Sequence, residues 1–96
     1  MVQVRWTNAA LEDLAGIRDY TISISRTYAE QLIERLIART DILGSLPRIG
    51  RIVPEYQVAN VRELLEGRYR IMYEIIDPDR VDILHVHHMA QPLTAL

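Results

Sequence analysis

The sequence has no cysteine and no lysine, and all eleven of its Lys/Arg positions are arginine. The first absence removes disulfide scaffolds, thiolate zinc sites and cysteine nucleophiles together. The second leaves a flat, five-donor fork as the only permanent side-chain cation, a group suited to defined contacts rather than diffuse solubilisation. Biased coding composition accounts for that preference without invoking function. No run approaches the roughly 18 consecutive apolar residues of a membrane span. The opening Met1-Val2-Gln3-Val4-Arg5-Trp6 lacks the charged and apolar regions of a secretory signal, so the expected location is the cytoplasm, away from membranes. The four glycines stand isolated at 16, 44, 50 and 67, which excludes a glycine-rich phosphate loop. Ser23, Ser25 and Ser45 sit in helix-end contexts with no G-x-S-x-G elbow, which excludes a serine hydrolase of that type.

What is present is ordinary for one small globular domain spanning 1–96: 49% apolar residues, 25% charged. A chain this short buries only about 60–65% of the surface its unfolded form exposes, so its stability leans on a partner. A net charge of −2 argues against a protein whose whole surface clings to nucleic acid. A local basic strip remains compatible with it.

The pattern predicts an α+β fold. Val2, Val4 and Trp6 alternate with polar residues as a half-buried strand. Thr7 or Asn8 then caps a helix carried by Ala10, Leu14 and Ile17, which ends in the β-branched stretch 21–25. Thr27 and Glu30 fit a capping box that opens a second helix. Its stripe of Ala29, Leu32, Ile33, Leu36, Ile37, Thr40 and Leu43 runs to about residue 45, where Gly44 and Pro47 stop it. So short a connection makes the two helices an antiparallel hairpin. Residues 47–59 read as an irregular crossing segment. Three strands follow, 60–65, 69–76 and 81–88, joined by turns at Glu66-Gly67 and at Asp77-Pro78-Asp79-Arg80. The middle strand puts Tyr69, Ile71, Tyr73 and Ile75 on one face and Arg70, Met72 and Glu74 on the other. The expected architecture is an N-terminal strand and a helical hairpin packed on a C-terminal three- to four-stranded antiparallel sheet.

His85, His87 and His88 are the natural candidates for metal ligands. On a strand the first two share a face and the third opposes them. Two ligands are too few for zinc, and nothing in the spacing demands that Glu63 or Asp82 supply a third, so no metal or other cofactor is assigned. Acid pairs such as Glu12-Asp13 and Asp77/Asp79 read as helix-start and turn residues. The remaining constellation is Arg62, Arg70, Tyr73 and the histidines, with Arg48 and Arg51 in the preceding loop. Across the Glu66-Gly67 turn, Arg62 and Arg70 are placed where their side chains can meet. Such a face suits phosphate stabilisation with proton transfer. It suits a protein interface equally, since Tyr and Arg dominate hot spots. The plain alternative is that these arginines balance Glu63, Glu66 and Glu74 across strands.

The order Trp6-Thr7, Ala10…Asp13-Leu14…Ile17…Tyr20, Pro47…Gly50-Arg51, Arg62-Glu63-Leu64…Tyr69-Arg70-Ile71…Tyr73 and Val81…Ile83…His88 closely resembles the ParE/RelE toxin superfamily. The likeness spans residues 2 to about 93. The resemblance implies a toxin of a type II toxin–antitoxin module of the plasmid-stabilisation kind. It also implies a small ParD-like antitoxin as partner in a hetero-oligomer, and contact with nucleic acid only through the antitoxin or the target. Within the superfamily, RelE-like members cleave ribosome-bound mRNA with cationic groove residues and a C-terminal histidine or tyrosine. ParE-like members poison DNA gyrase by binding. The absence of lysine, the slightly acidic balance, the segment 62–73 and Gln91, where many relatives carry arginine, resemble the ParE branch. On that reading Arg51, Arg62, Arg70 and Tyr73 contact partners and there is no catalytic set. On the RelE reading Arg62 and Arg70 clamp phosphate, and His88 is the acid or base of a metal-independent endoribonuclease.

Overall fold

The computed structural model describes residues 1–90. In chain order these form β1 (Gln3–Trp6), α1 (Asn8–Ile22), α2 (Arg26–Arg39), a 3-10 turn (Thr40–Gly44), β2 (Arg51–Ile52), β3 (Val61–Glu66), β4 (Tyr69–Asp77) and β5 (Arg80–His88). Thr7 is the hinge between the first strand and the first helix. Its hydroxyl oxygen accepts the Ala10 N–H at 3.1 Å, satisfying one orphan donor of the first turn, and its O–H donates to the Ile83 carbonyl at 2.7 Å. One side chain thus starts α1 and fastens it to β5. The stretch 21–25 ends the helix as its β-branched residues require, with the Ile24 and Ser25 amides both bonded to the Thr21 carbonyl.

The cap of α2 is Ser25, whose hydroxyl accepts the Tyr28 N–H at 3.2 Å, so Thr27 already lies inside the helix. Ser25 takes the extended backbone that a cap needs, which displaces the expected capping box by two residues. The helical run tightens at Thr40 and stops at Gly44.

The sheet has five strands in the order β1-β5-β4-β3-β2. The three C-terminal strands pair antiparallel as expected, with Leu64 opposite Ile71 and Ile71 opposite Val86. Two features extend the expected sheet. β1 joins it parallel to β5, Gln3 opposite Arg80 through Trp6 opposite Ile83, so the sheet is mixed. Inside the crossing segment, Arg51 and Ile52 pair with Glu63 and Arg62 as a short edge strand. Neither pairing is encoded locally, because a strand of two to four residues carries no statement of its partner or direction.

The main core lies between the helices and one face of the sheet. Ala10, Leu14, Leu32, Leu36 and Leu43 meet Leu64, Ile71, Tyr73, Ile75, Val81, Ile83 and Val86. On the other face Val53, Val61 and Met72 form a smaller cluster covered by Tyr56. A bulge sets the phase of β5. Met72 opposes His85 while Tyr73 opposes Ile83, which leaves Leu84 as the extra residue. Beyond the bulge Val86 returns to the helix face, and His85 and His87 turn to the face of Met72 and Arg70. Among the described residues no helix is long and apolar enough to cross a membrane.

Candidate functional site

Tyr73 is fully buried and works as a clamp on the loop before β2. Its O–H donates to the Pro47 carbonyl at 2.7 Å, and its oxygen accepts the Gly50 N–H at 3.0 Å. Burial pushes its phenol above the ordinary range. Gly50 is required for this approach, because a Cβ there would stand 2.6 Å from both the Glu63 carbonyl oxygen and the Tyr73 hydroxyl. Arg62, the register partner of Tyr73, holds the same loop. It donates to the carbonyls of Arg48 and Gly50, both at 3.1 Å, and to that of Ala59 at 3.0 Å.

On the opposite face of the sheet an ion network runs through a carboxylate with no exposed side-chain surface. Glu63 accepts from Arg51 at 2.5 Å and from Arg70 at 2.6 Å. Arg70 continues as a bidentate fork onto both oxygens of Glu55, each at 2.7 Å. These hydrogen bonds from Arg70 hold the Glu55 carboxyl down to about 2, and the same bonds raise the Arg70 guanidinium. Arg51 leaves 57% of its side chain in solvent, against 12% for Arg70. Arg51, Pro54, Glu55, Arg70 and Met89 line an open cleft of about 270 Å³.

At the far end of β5 the edge of the sheet is uncovered beyond Ile83, where β1 has ended. Asp13 of α1 fills that position. One carboxylate oxygen accepts the Val86 N–H at 3.0 Å and lies 3.0 Å from Nδ1 of His85. The His85 and His87 rings meet edge to face with centroids 5.5 Å apart. Burial lowers the pKa of His87 and so favours its neutral form. His88 faces the helix side, where its ring meets Tyr69 edge-on at 5.2 Å and its Nδ1 accepts the Ala90 N–H at 3.1 Å.

Of the residues singled out in the sequence, the structure brings Arg51 and Arg70 together through Glu63. It separates Arg62 from Arg70, which do not meet across the hairpin: Arg62 opposes Tyr73 and Arg70 opposes Leu65, so they point to opposite faces. His88 opposes Tyr69, four residues along β4 from the partner of Arg62, a distance of about 13 Å at 3.3 Å per residue. Arg62, Arg70 and His88 therefore do not converge. Tyr73 offers no surface to a partner. Of the three glutamates expected to balance the arginines, Glu63 takes two of them and Glu66 stands 4.0 Å from Arg39, while Asp82, weighed as a third metal ligand, is held by Arg80 at 2.9 Å. Nothing in the sequence pointed to Glu55, and Asp13 read only as a helix-start residue. A carboxylate in a proline-rich loop has no periodic signal, and Asp13 is 72 residues from the histidine it meets. Gln91 lies outside the described residues.

Comparison with known proteins bears on the family and the fold. The family model of the ParE toxin of the type II toxin–antitoxin system parDE matches residues 4–93. Toxin RelE2 of Caulobacter vibrioides is 37% identical over 92 residues, covering 95% of this chain and 99% of that protein. The chromosomal ParDE system of P. aeruginosa contains a chain of the same fold, with a TM-score of 0.75 at 24% identity over 92% of this chain and 96% of that one. The RelBE2 toxin–antitoxin complex of Mycobacterium tuberculosis matches with a TM-score of 0.59 at 24% identity over 91% of this chain and 96% of that one. With the strand, helical hairpin and sheet in the same order along nearly the whole length, the chain belongs to the ParE/RelE family of type II toxins.

Proposed function

We propose that this toxin acts by binding DNA gyrase rather than by cutting mRNA, and that a ParD-like antitoxin neutralises it. The observation that carries the reading is the disposition of the cations. An endonuclease without a metal needs unpaired cations and an acid or base within reach of one phosphate. Here Arg62 is committed to the backbone of the loop, Arg70 to two carboxylates, and His88 to the opposite face from Arg70. Arg51 keeps an exposed guanidinium in a cleft it shares with Pro54 and Met89, a mixed apolar and cationic surface of the kind proteins bind. A supercoiling assay with purified gyrase tests the proposal. Inhibition that rises with toxin and is relieved by antitoxin is expected, and unimpaired supercoiling at toxin excess overturns it.

The name of the Caulobacter vibrioides relative favours a second reading, a ribosome-dependent mRNA endonuclease using Arg62, Arg70 and His88. Primer extension on translated mRNA after induction separates the two. Codon-positioned cuts that disappear in His88→Ala would replace the gyrase reading. Uncut transcripts together with arrested supercoiling support it.

A further inference from the structure

We propose that Asp13, His85 and His87 form a site for a divalent transition-metal ion of the zinc type, seated where α1 crosses the uncovered edge of β5. The donor set is two imidazoles and one carboxylate, the composition of three-ligand zinc sites that keep a fourth position open. One ligand atom from each residue lies within 4.8 Å of the other two. The Asp13 oxygen and His85 Nδ1 are 3.0 Å apart, close to the roughly 3.3 Å that separates two ligands of a tetrahedral ion with bonds near 2.0–2.1 Å.

Three further observations point the same way. The Val86 N–H fixes the Asp13 carboxylate, so that oxygen is oriented before any ion arrives. Among the described residues, Nδ1 of His87 is the single buried side-chain nitrogen or oxygen with no hydrogen-bond partner. A buried nitrogen left unpaired is costly, and a metal bond would satisfy it if that nitrogen is the ligand. The cation nearest in register, Arg70 opposite His87, is paired with Glu63 and Glu55, which lessens its repulsion of an incoming ion. Binding through Nδ1 selects the neutral His85 tautomer that carries its proton on Nε2, while Asp13 exchanges its contact with the ring for a metal bond. The ion would join residue 13 to residues 85 and 87 and so staple the helical hairpin to the sheet. This site is independent of the cellular target.

The untagged full chain, stripped with EDTA and dialysed, is titrated with ZnCl2 by calorimetry and with CoCl2 by visible absorption. One ion per chain, four-coordinate cobalt bands and a thermal midpoint raised by several degrees at saturating zinc are expected, because the ion binds the folded state. His85→Ala and Asp13→Asn each weaken binding by at least about tenfold. His87→Gln, which keeps the bulk of the side chain, does the same while retaining the wild-type circular dichroism. Absence of saturable binding, an unmoved midpoint, or unchanged binding in the His85→Ala/His87→Ala double variant overturns the site.

Discussion

The Tyr73 hydroxyl holds the whole turn from Pro47 to Gly50 in place, and it does so from inside the core. Tyr73→Phe keeps the ring packing but leaves a buried amide without its acceptor, so a loss of about 1–3 kcal/mol in urea unfolding is expected. Gly50→Ala costs more, since its Cβ collides with the Glu63 backbone as well as with the phenol. On the outer face, Glu63→Gln removes the charge that two guanidiniums share. The expected destabilisation is about 3 kcal/mol, the low end for a broken buried pair, because Arg70 keeps Glu55 and Arg51 is half in water. Tyr73 illustrates what residue type alone misreads. Tyrosine suggests an interface, yet its alternation with Ile71 and Ile75 already placed it on the buried face.

At the scale of elements, the crossing segment docks onto β4 through the Glu55–Arg70 fork, and this docking is pH-dependent. The Glu55 carboxyl is lowered from 4.5 to about 2, so its stabilising contribution is complete above pH 4.5 and is lost as pH falls toward 2. Unfolding of wild type and Glu55→Ala measured across that window should show a difference that shrinks on acidification and vanishes below pH 2. High salt should narrow it throughout. The helices and the three long strands were legible in the sequence because each repeats its apolar spacing several times. β2 was not, since two residues between Gly50 and Val53-Pro54 carry no period and owe their strand geometry to Arg62 and Glu63. The grouping of Asp13 with His85 was equally hidden. It depends on the bulge at Leu84 and on how far β1 extends, both settled by tertiary pairing.

The whole molecule depends on its first strand to close the sheet. Val4 and Trp6 pack on the core from β1. Each is half-buried and so contributes part of the about 1.5–3 kcal/mol of a fully buried apolar side chain, besides the strand's hydrogen bonds to β5. Against a total stability of about 5–15 kcal/mol, deleting residues 1–6 should abolish the cooperative thermal transition seen by circular dichroism. The parallel pairing of β1 with β5 has a mechanical consequence as well. Because both strands run the same way, a pull on the start of β1 and on the end of β5 slides the strands past each other. The four residue pairs from Gln3–Arg80 to Trp6–Ile83 are then loaded together, in shear, rather than peeled one at a time as in an antiparallel hairpin. Traction from the two ends therefore meets the fold along its most resistant direction.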